Sequence, residues 1–145
     1  MFDDRFAKRM AARYRKKGLD KPARLEEILD ACRVKDFDRL AAYHLAGPKF
    51  SKFDDAEPLD RQDAETGMRA EVEGFSAIDD FDGRLDDMKI DVFGPVAITT
   101  GIFRATFRVG DDQQSVATRT TVVFVDAGGD WLIAHEHHSP LVANA

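Results

Sequence analysis

The stretches VAITTGIFRATFRV at residues 96–109 and SVATRTTVVFVD at residues 115–126 decide the fold. Both are long and rich in β-branched and aromatic residues, a composition typical of strands. Gly110-Asp111-Asp112 between them predicts a hairpin turn. Glycine-containing turns on either side of the pair predict two more strands, at Met88–Phe93 and Trp131–Ser139. We therefore expect the C-terminal half to form a meander of antiparallel strands.

The N-terminal half has helical periodicity instead. Aromatic and methionine side chains recur every four residues over residues 2–17, which predicts an amphipathic helix. A second helix is expected from Pro22 to His44, with a break at Asp36-Phe37-Asp38, and a third from Asp60 to Ala77. A short extended stretch, Lys49–Phe53, lies between them. Helices followed by a strand meander predict an α+β fold.

Length and composition limit the classes of protein to consider. The chain has 145 residues, of which 43% are hydrophobic, and this indicates one globular domain. No apolar run approaches the roughly 20 residues of a membrane span, and the charged N-terminus is unlike a secretory signal. The single cysteine, Cys32, cannot form an internal disulfide, so we expect a cytoplasmic location.

Charge is unevenly distributed along the chain. Residues 1–24 carry nine Lys or Arg and three Asp, whereas the whole chain has a net charge of −6. An acidic body excludes nucleic acid as a partner over most of the domain. The basic helix is either an anchor for an acidic surface or an ordinary solvated helix. We divide the chain into an N-terminal extension, residues 1–21, and one domain, residues 22–145.

The last strand carries the candidate catalytic residues, because it contains three of the four histidines. Regular alternation would place His135 and His137 on one face with Trp131 and Ile133, and His138 on the other face with Glu136, Leu132 and Ala134. His135 and His137 are the candidate acid/base residues. Three interpretations remain open: a ligand pocket, a buried polar network at a subunit interface, and a metal site.

A metal is the least favoured of these interpretations. A His-x-His pair needs a third protein ligand, and nothing in the spacing of His44 or Glu136 points to either. We expect no metal. No phosphate loop or dinucleotide fingerprint is present, so we expect no cofactor.

Two arginines interrupt largely apolar strands, and a strand-borne arginine can bind a carboxylate through its planar fork of donors. Arg104 and Arg119 are therefore candidate ligand-binding residues, with His138 and Tyr43 completing the set. The alternative is that each arginine faces solvent or pairs with an acid. The sequence predicts an anion-preferring pocket if the arginines and histidines converge, but it does not say which strand face is interior.

Several motifs together resemble a known superfamily. They are Phe50-Ser51-Lys52-Phe53-Asp54, the segment Gly67–Phe75, Phe93-Gly94, Ile102-Phe103-Arg104, Arg119-Thr120-Thr121 and the terminal segment Gly129–Ser139. They resemble the nuclear transport factor 2-like superfamily in its SnoaL-like, ketosteroid-isomerase-like form. Within it, they are most similar to the association domain of calcium/calmodulin-dependent kinase II and its bacterial stand-alone relatives. The resemblance covers residues 22–140.

The resemblance implies a cone-shaped roll in which N-terminal helices pack inside a strongly curved antiparallel sheet. It also implies an interior pocket, used in relatives for isomerisation, cyclisation or dehydration, or only for binding. Arg104 falls where the kinase-association branch carries an arginine, whereas His138 replaces another arginine of that branch.

We therefore expect a pocket for a small, carboxylate-bearing molecule, with isomerase, cyclase or lyase chemistry as its extension. The alternative is a non-catalytic oligomerisation or scaffold module. A homodimer or larger homo-oligomer is expected in either case. Strands that are apolar on both faces need cover on each, and the helices cover only one.

Overall fold

A computed structural model of the protein describes residues 23–141. The helix predicted over residues 2–17 and the boundary between residues 21 and 22 lie outside this range. The helices are α1 (Ala23–Arg33), α2 (Phe37–Ala42) and α3 (Ala64–Ser76). The strands are β1 (Ser51–Phe53), β2 (Asp79–Phe93), β3 (Val96–Val109), β4 (Asp112–Ala127) and β5 (Asp130–Pro140).

Aspartate side chains set where two helices begin. The predicted break in the second helix is confirmed, because the Asp36 carboxylate accepts the backbone N–H of Arg39 and caps α2. In α3 the cap is Asp63, whose carboxylate accepts from the N–H of Thr66. The third helix therefore starts four residues later than Asp60, the predicted start.

The strands form one curved sheet in the order β1-β5-β4-β3-β2. β1 pairs in parallel with β5, and all the other neighbours are antiparallel. This architecture confirms the α+β prediction. The bounds of β3 are those predicted, but β2 begins at Asp79 rather than Met88. Its first half is acidic, and Asp80 and Asp87 lie in left-handed backbone conformation at irregularities of the β2–β3 pairing.

The predicted alternation of side chains along β5 is wrong, because this strand contains a β-bulge. Val123 pairs with His135, whereas the next residue, Phe124, pairs with Ile133, so Ala134 is an extra residue. From His135 onward, each side chain lies on the face of the sheet opposite to the one that regular alternation from Ile133 would give it. Ile133 therefore lies on the same interior face as Glu136 and His138, and not with His135 and His137 as regular alternation predicted.

The helices pack on the interior face of the sheet and form two clusters of buried side chains. One is centred on the sheet residues Trp131, Phe124 and Ile133, which are at most 1% exposed. The other joins Leu40 of α2 and Cys32 of α1 to Phe81 of β2. None of the described helices is both long and apolar enough to cross a membrane. Between the two clusters the interior is not completely filled.

Candidate functional site

A cavity of about 450 Å³ lies between the helices and the interior face of the sheet. One side is apolar and is formed by Leu25, Ile28, Phe75, Phe81, Leu85 and Phe103. The other side is polar and is formed by His44, Lys52, Asp54, Glu71, Glu136 and His138. An apolar chamber with a few convergent polar groups is the usual form of a small-molecule site.

Lys52 lies at the centre of the polar side and is 4% exposed. The parallel pairing of β1 with β5 places it beside Glu136. Its ammonium nitrogen lies 2.9 Å from Glu71 Oε1, 3.4 Å from Asp54 Oδ2 and 3.9 Å from Glu136 Oε2. Three carboxylates therefore surround one buried ammonium group.

Two histidines flank this cluster. The Nε2 of His44 lies 3.4 Å from Glu136 Oε2, while its Nδ1 lies 2.8 Å from the carbonyl oxygen of Leu40. His138 Nδ1 lies 2.9 Å from the hydroxyl of Thr120, and its Nε2 is 3.7 Å from Glu136 Oε1. That second distance is too long for a direct hydrogen bond, so Nε2 of His138 is available to a ligand.

The cluster favours the charged forms of His44, His138, Lys52 and Glu136. Burial alone would lower the pKa of His44, but the adjacent Glu136 and Glu71 outweigh it and raise this pKa to about 9. Burial also opposes the charge of His138, yet Glu136 raises its pKa above the usual value. The same carboxylates raise the pKa of Lys52 against the effect of burial. Lys52 in turn lowers the pKa of Glu136, which burial alone would raise.

The geometry also brings together a set of potential metal ligands. The ligand atoms of His44, Glu71 and Glu136 lie within 4.8 Å of one another. His44 and Glu136, the possible third ligands for the His-x-His pair, converge with Glu71 instead. Lys52 already places a positive charge among these carboxylates, and this opposes binding of a cation. The expectation of no metal stays a prediction.

The predicted acid/base residues lie on the outer face of the sheet. His135 Nδ1 is 2.9 Å from the Ser51 hydroxyl, and the exposed ring of His137 lies against Phe53 with centroids 5.5 Å apart. Of the three histidines in β5, the structure brings only His138 to the cavity wall. The bulge at Ala134 is the physical reason.

The predicted arginines also lie on the outer face. Arg104 is paired with Asp86 at 3.3 Å, with 44% of its side chain exposed. Arg119 is exposed and lines a shallow outer groove of about 430 Å³ together with His137, Ser139 and Asp87. Arg119 and His137 therefore do converge, but outside the cone. The structure does not bring either arginine to the interior cavity.

Tyr43 follows α2, and its ring is contacted by two arginine side chains. The guanidinium of Arg24 lies 4.9 Å from the ring centroid, and Arg39 donates to the hydroxyl at 2.9 Å. Lys52 is a residue of this site that was not predicted from the sequence, whereas Glu71 was one of several acidic candidates for a general base. The available signal was a lysine between two phenylalanines, Phe50 and Phe53, in a predicted extended stretch.

The family model that matches the sequence is described as a SnoaL-like domain, and it matches residues 22–143. No curated protein matches the chain. Among solved structures, a nuclear transport factor 2-like superfamily protein from Salmonella enterica has a TM-score of 0.75. It is 15% identical and covers 95% of this chain and 96% of its own.

Two further solved structures have similar folds. A nuclear transport factor 2-like protein of unknown function from Pseudomonas putida is 19% identical over 91% of this chain and 87% of its own, with a TM-score of 0.68. The calcium/calmodulin-dependent kinase II hub homology domain from Chlamydomonas reinhardtii is 17% identical over 83% of this chain and 94% of its own, with a TM-score of 0.67. At these identities the likeness concerns the fold alone.

Proposed function

This chain belongs to the SnoaL-like domain family, and we propose that it binds a small molecule in its interior cavity and performs acid/base chemistry there. The observation that carries the proposal is the placement of His138. Its imidazole lies on the wall of a 450 Å³ cavity, with Nδ1 held by Thr120 and Nε2 3.7 Å from Glu136 Oε1, beyond direct hydrogen-bonding distance. Folds of this kind serve many functions, so the residues of the site, and not the fold, indicate the chemistry.

His138 is suited to the role of a general acid. The neighbouring carboxylate of Glu136 raises its pKa, so a larger fraction carries a proton near neutral pH. A ligand oxygen within reach of Nε2 would receive a hydrogen bond, or the proton itself, as negative charge develops on it. An isomerase, cyclase or lyase acting on a carbonyl compound uses such a donor.

The role of the four outer-face candidates stays a prediction. His135, His137, Arg104 and Arg119 would have to act at the outer face of the sheet, where Arg119 and His137 line one groove. A carboxylate-bearing ligand held by Arg119 belongs to that groove. The interior cavity has Lys52 as its only lysine or arginine within residues 23–141, and Lys52 is already paired with carboxylates.

The test compares two histidines of the same strand. Small cyclic ketones are incubated with the protein in deuterated buffer, and NMR follows their binding and the deuterium incorporated next to the carbonyl. We expect His138→Gln to reduce the exchange rate by about 100-fold or more, while His137→Gln stays near the wild type. Loss of exchange in His137→Gln alone would assign the chemistry to the outer face.

A second proposal concerns the association of several copies of the chain. It keeps open the alternative that the protein is a non-catalytic oligomerisation or scaffold module. The outer face of the sheet carries the half-buried apolar residues Ile98, Ile102, Val123 and Val125. The helices within residues 23–141 pack on the opposite face, so we propose that a second copy of the chain covers this one. The similarity to a hub homology domain supports assembly without fixing its size.

Sedimentation velocity tests the assembly. We expect a dimer or larger species at micromolar concentration and a monomer for Val123→Lys, which places a charge in the centre of the apolar face. A stable wild-type monomer would contradict the proposal.

The cytoplasmic location, the absence of a cofactor and the division of the chain at residue 21 stay predictions.

A further inference from the structure

The charged groups that face the interior cavity are mostly acidic. Among residues 23–141, five carboxylic acids line it, at positions Asp54, Asp55, Glu57, Glu71 and Glu136. They face three groups that can be positive, namely Lys52, His44 and His138. Even with both histidines protonated, the described part of the chain contributes more carboxylates than cations to the cavity.

Every one of those positive groups is already near a carboxylate. Lys52 contacts Glu71 at 2.9 Å, His44 lies 3.4 Å from Glu136, and His138 lies 3.7 Å from the same Glu136. A carboxylate ligand would have to compete with these acids for each cation, in a chamber where screening by salt is weak. The cavity therefore disfavours an anionic ligand.

A second feature of the cavity also disfavours an anionic ligand. Glu136 is 8% exposed, and its Oε2 atom is buried without a hydrogen-bond partner among the described residues. The groups nearest to Glu136 that can be positive are His44 and Lys52, at 3.4 and 3.9 Å from Oε2, and His138, at 3.7 Å from Oε1. A buried carboxylate oxygen that lacks a hydrogen-bond donor can accept a hydrogen bond from a ligand that carries an N–H group.

The excess of negative charge extends to the rim. Asp54 and Asp55 are adjacent, with Asp54 part-buried and Asp55 exposed. Burial, and then the hydrogen bond and the charge of Asp54, raise the pKa of Asp55. A positive group placed between these carboxyls would relieve their repulsion.

We propose that the ligand of the interior cavity is an amine with an apolar body, whose ammonium group lies at the Asp54–Asp55 rim. This inference rests on the proposed function, since it names the class of molecule that the cavity takes. The apolar side, which includes Phe75, Phe81 and Phe103, receives the hydrocarbon part of the ligand. A charge-assisted hydrogen bond to either aspartate orients the ammonium end.

Three probes of one shape test the inference by calorimetry on the full chain near pH 7. They are 2-phenylethylamine, 2-phenylethanol and 3-phenylpropanoate, which carry a positive charge, no charge and a negative charge. We expect the amine to bind about 10-fold tighter than the alcohol, and the carboxylate to bind most weakly. Asp55→Asn should weaken the amine about 5-fold and leave the alcohol unchanged.

Asp111→Asn is the matched control, because Asp111 is exposed in the turn between β3 and β4 and does not line the cavity. It should leave the affinity for the amine at the wild-type value. If the alcohol binds but the amine binds no tighter than the carboxylate, the inference is overturned and the small-molecule proposal stands. If none of the three probes binds at millimolar concentration, both are overturned.

Discussion

Replacing Lys52 by methionine should cost about 3–5 kcal/mol of unfolding free energy, since removing one partner leaves buried charges uncompensated. Lys52 is 4% exposed, and its ammonium lies within 4.0 Å of Glu71, Asp54 and Glu136. Methionine keeps the unbranched apolar stem but removes the charge. The loss therefore measures the electrostatic contribution of the cluster and not a loss of packing.

The pH dependence of the unfolding free energy lost in Lys52→Met is a second test of the electrostatic contribution of the cluster. Lys52 has a raised pKa in the folded protein, so its contribution is complete below the usual value of 10.5 and is lost as pH rises beyond it. Glu136 and Asp54 have lowered pKa values, so their contribution is present above the usual values of 4.5 and 3.8 and is lost on acidification. Without Lys52 these carboxyls protonate more easily. Lys52→Met should therefore be less destabilised near pH 5 than near pH 8.

Urea unfolding of the wild type and the variant at both pH values is the assay. Lys49→Met is the control, because Lys49 is exposed close by in the sequence, and it should change stability by no more than about 0.5 kcal/mol. A loss below about 1 kcal/mol for Lys52→Met, equal at both pH values, would refute the account of the cluster.

Five further predictions concern other parts of the protein. Gly101→Ala should cost about 1–3 kcal/mol in urea unfolding, because its Cβ would lie 2.8 Å from the carbonyl oxygen of Asp86. Gly74→Ala, in α3 with open space around it, should instead stabilise by about 0.5–1 kcal/mol. Asp63→Ala removes the cap of α3 and should cost about 1 kcal/mol in the same assay. The raised pKa of His44 contributes stability that is complete below pH 6.5 and lost as pH rises through about 9; a His44→Gln variant should lack this fall in its unfolding free energy. Elemental analysis of protein purified without added metal should find no stoichiometric zinc or iron.

The fold could be predicted from the sequence because its strands carry a strong local signal. The β-branched and aromatic run Val96–Val109 is a strand with those bounds. The resemblance to the SnoaL-like branch is confirmed by the family model. The first half of β2 was missed because acidic side chains there face solvent, and charged strands have no apolar pattern to recognise.

The site was less predictable, because it depends on geometry that no local pattern reveals. A single extra residue, Ala134, exchanges the faces of β5 and moves His138 to the interior in place of His135 and His137. Lys52 and Glu136 become neighbours only through the parallel pairing of β1 with β5, which joins segments far apart in the sequence. Tertiary pairing therefore decides which polar residues form the site.

The most direct test of the interior site is to observe the histidines while a probe binds. The Cε1 proton signals of His135, His137 and His138 can be assigned with single His→Gln variants and followed by NMR as 2-phenylethylamine is added. The account predicts that the His138 signal shifts with saturation, while those of the outer-face His135 and His137 stay in place. A saturable shift of His137 with His138 unmoved would contradict it, and would locate the ligand at the outer groove beside Arg119.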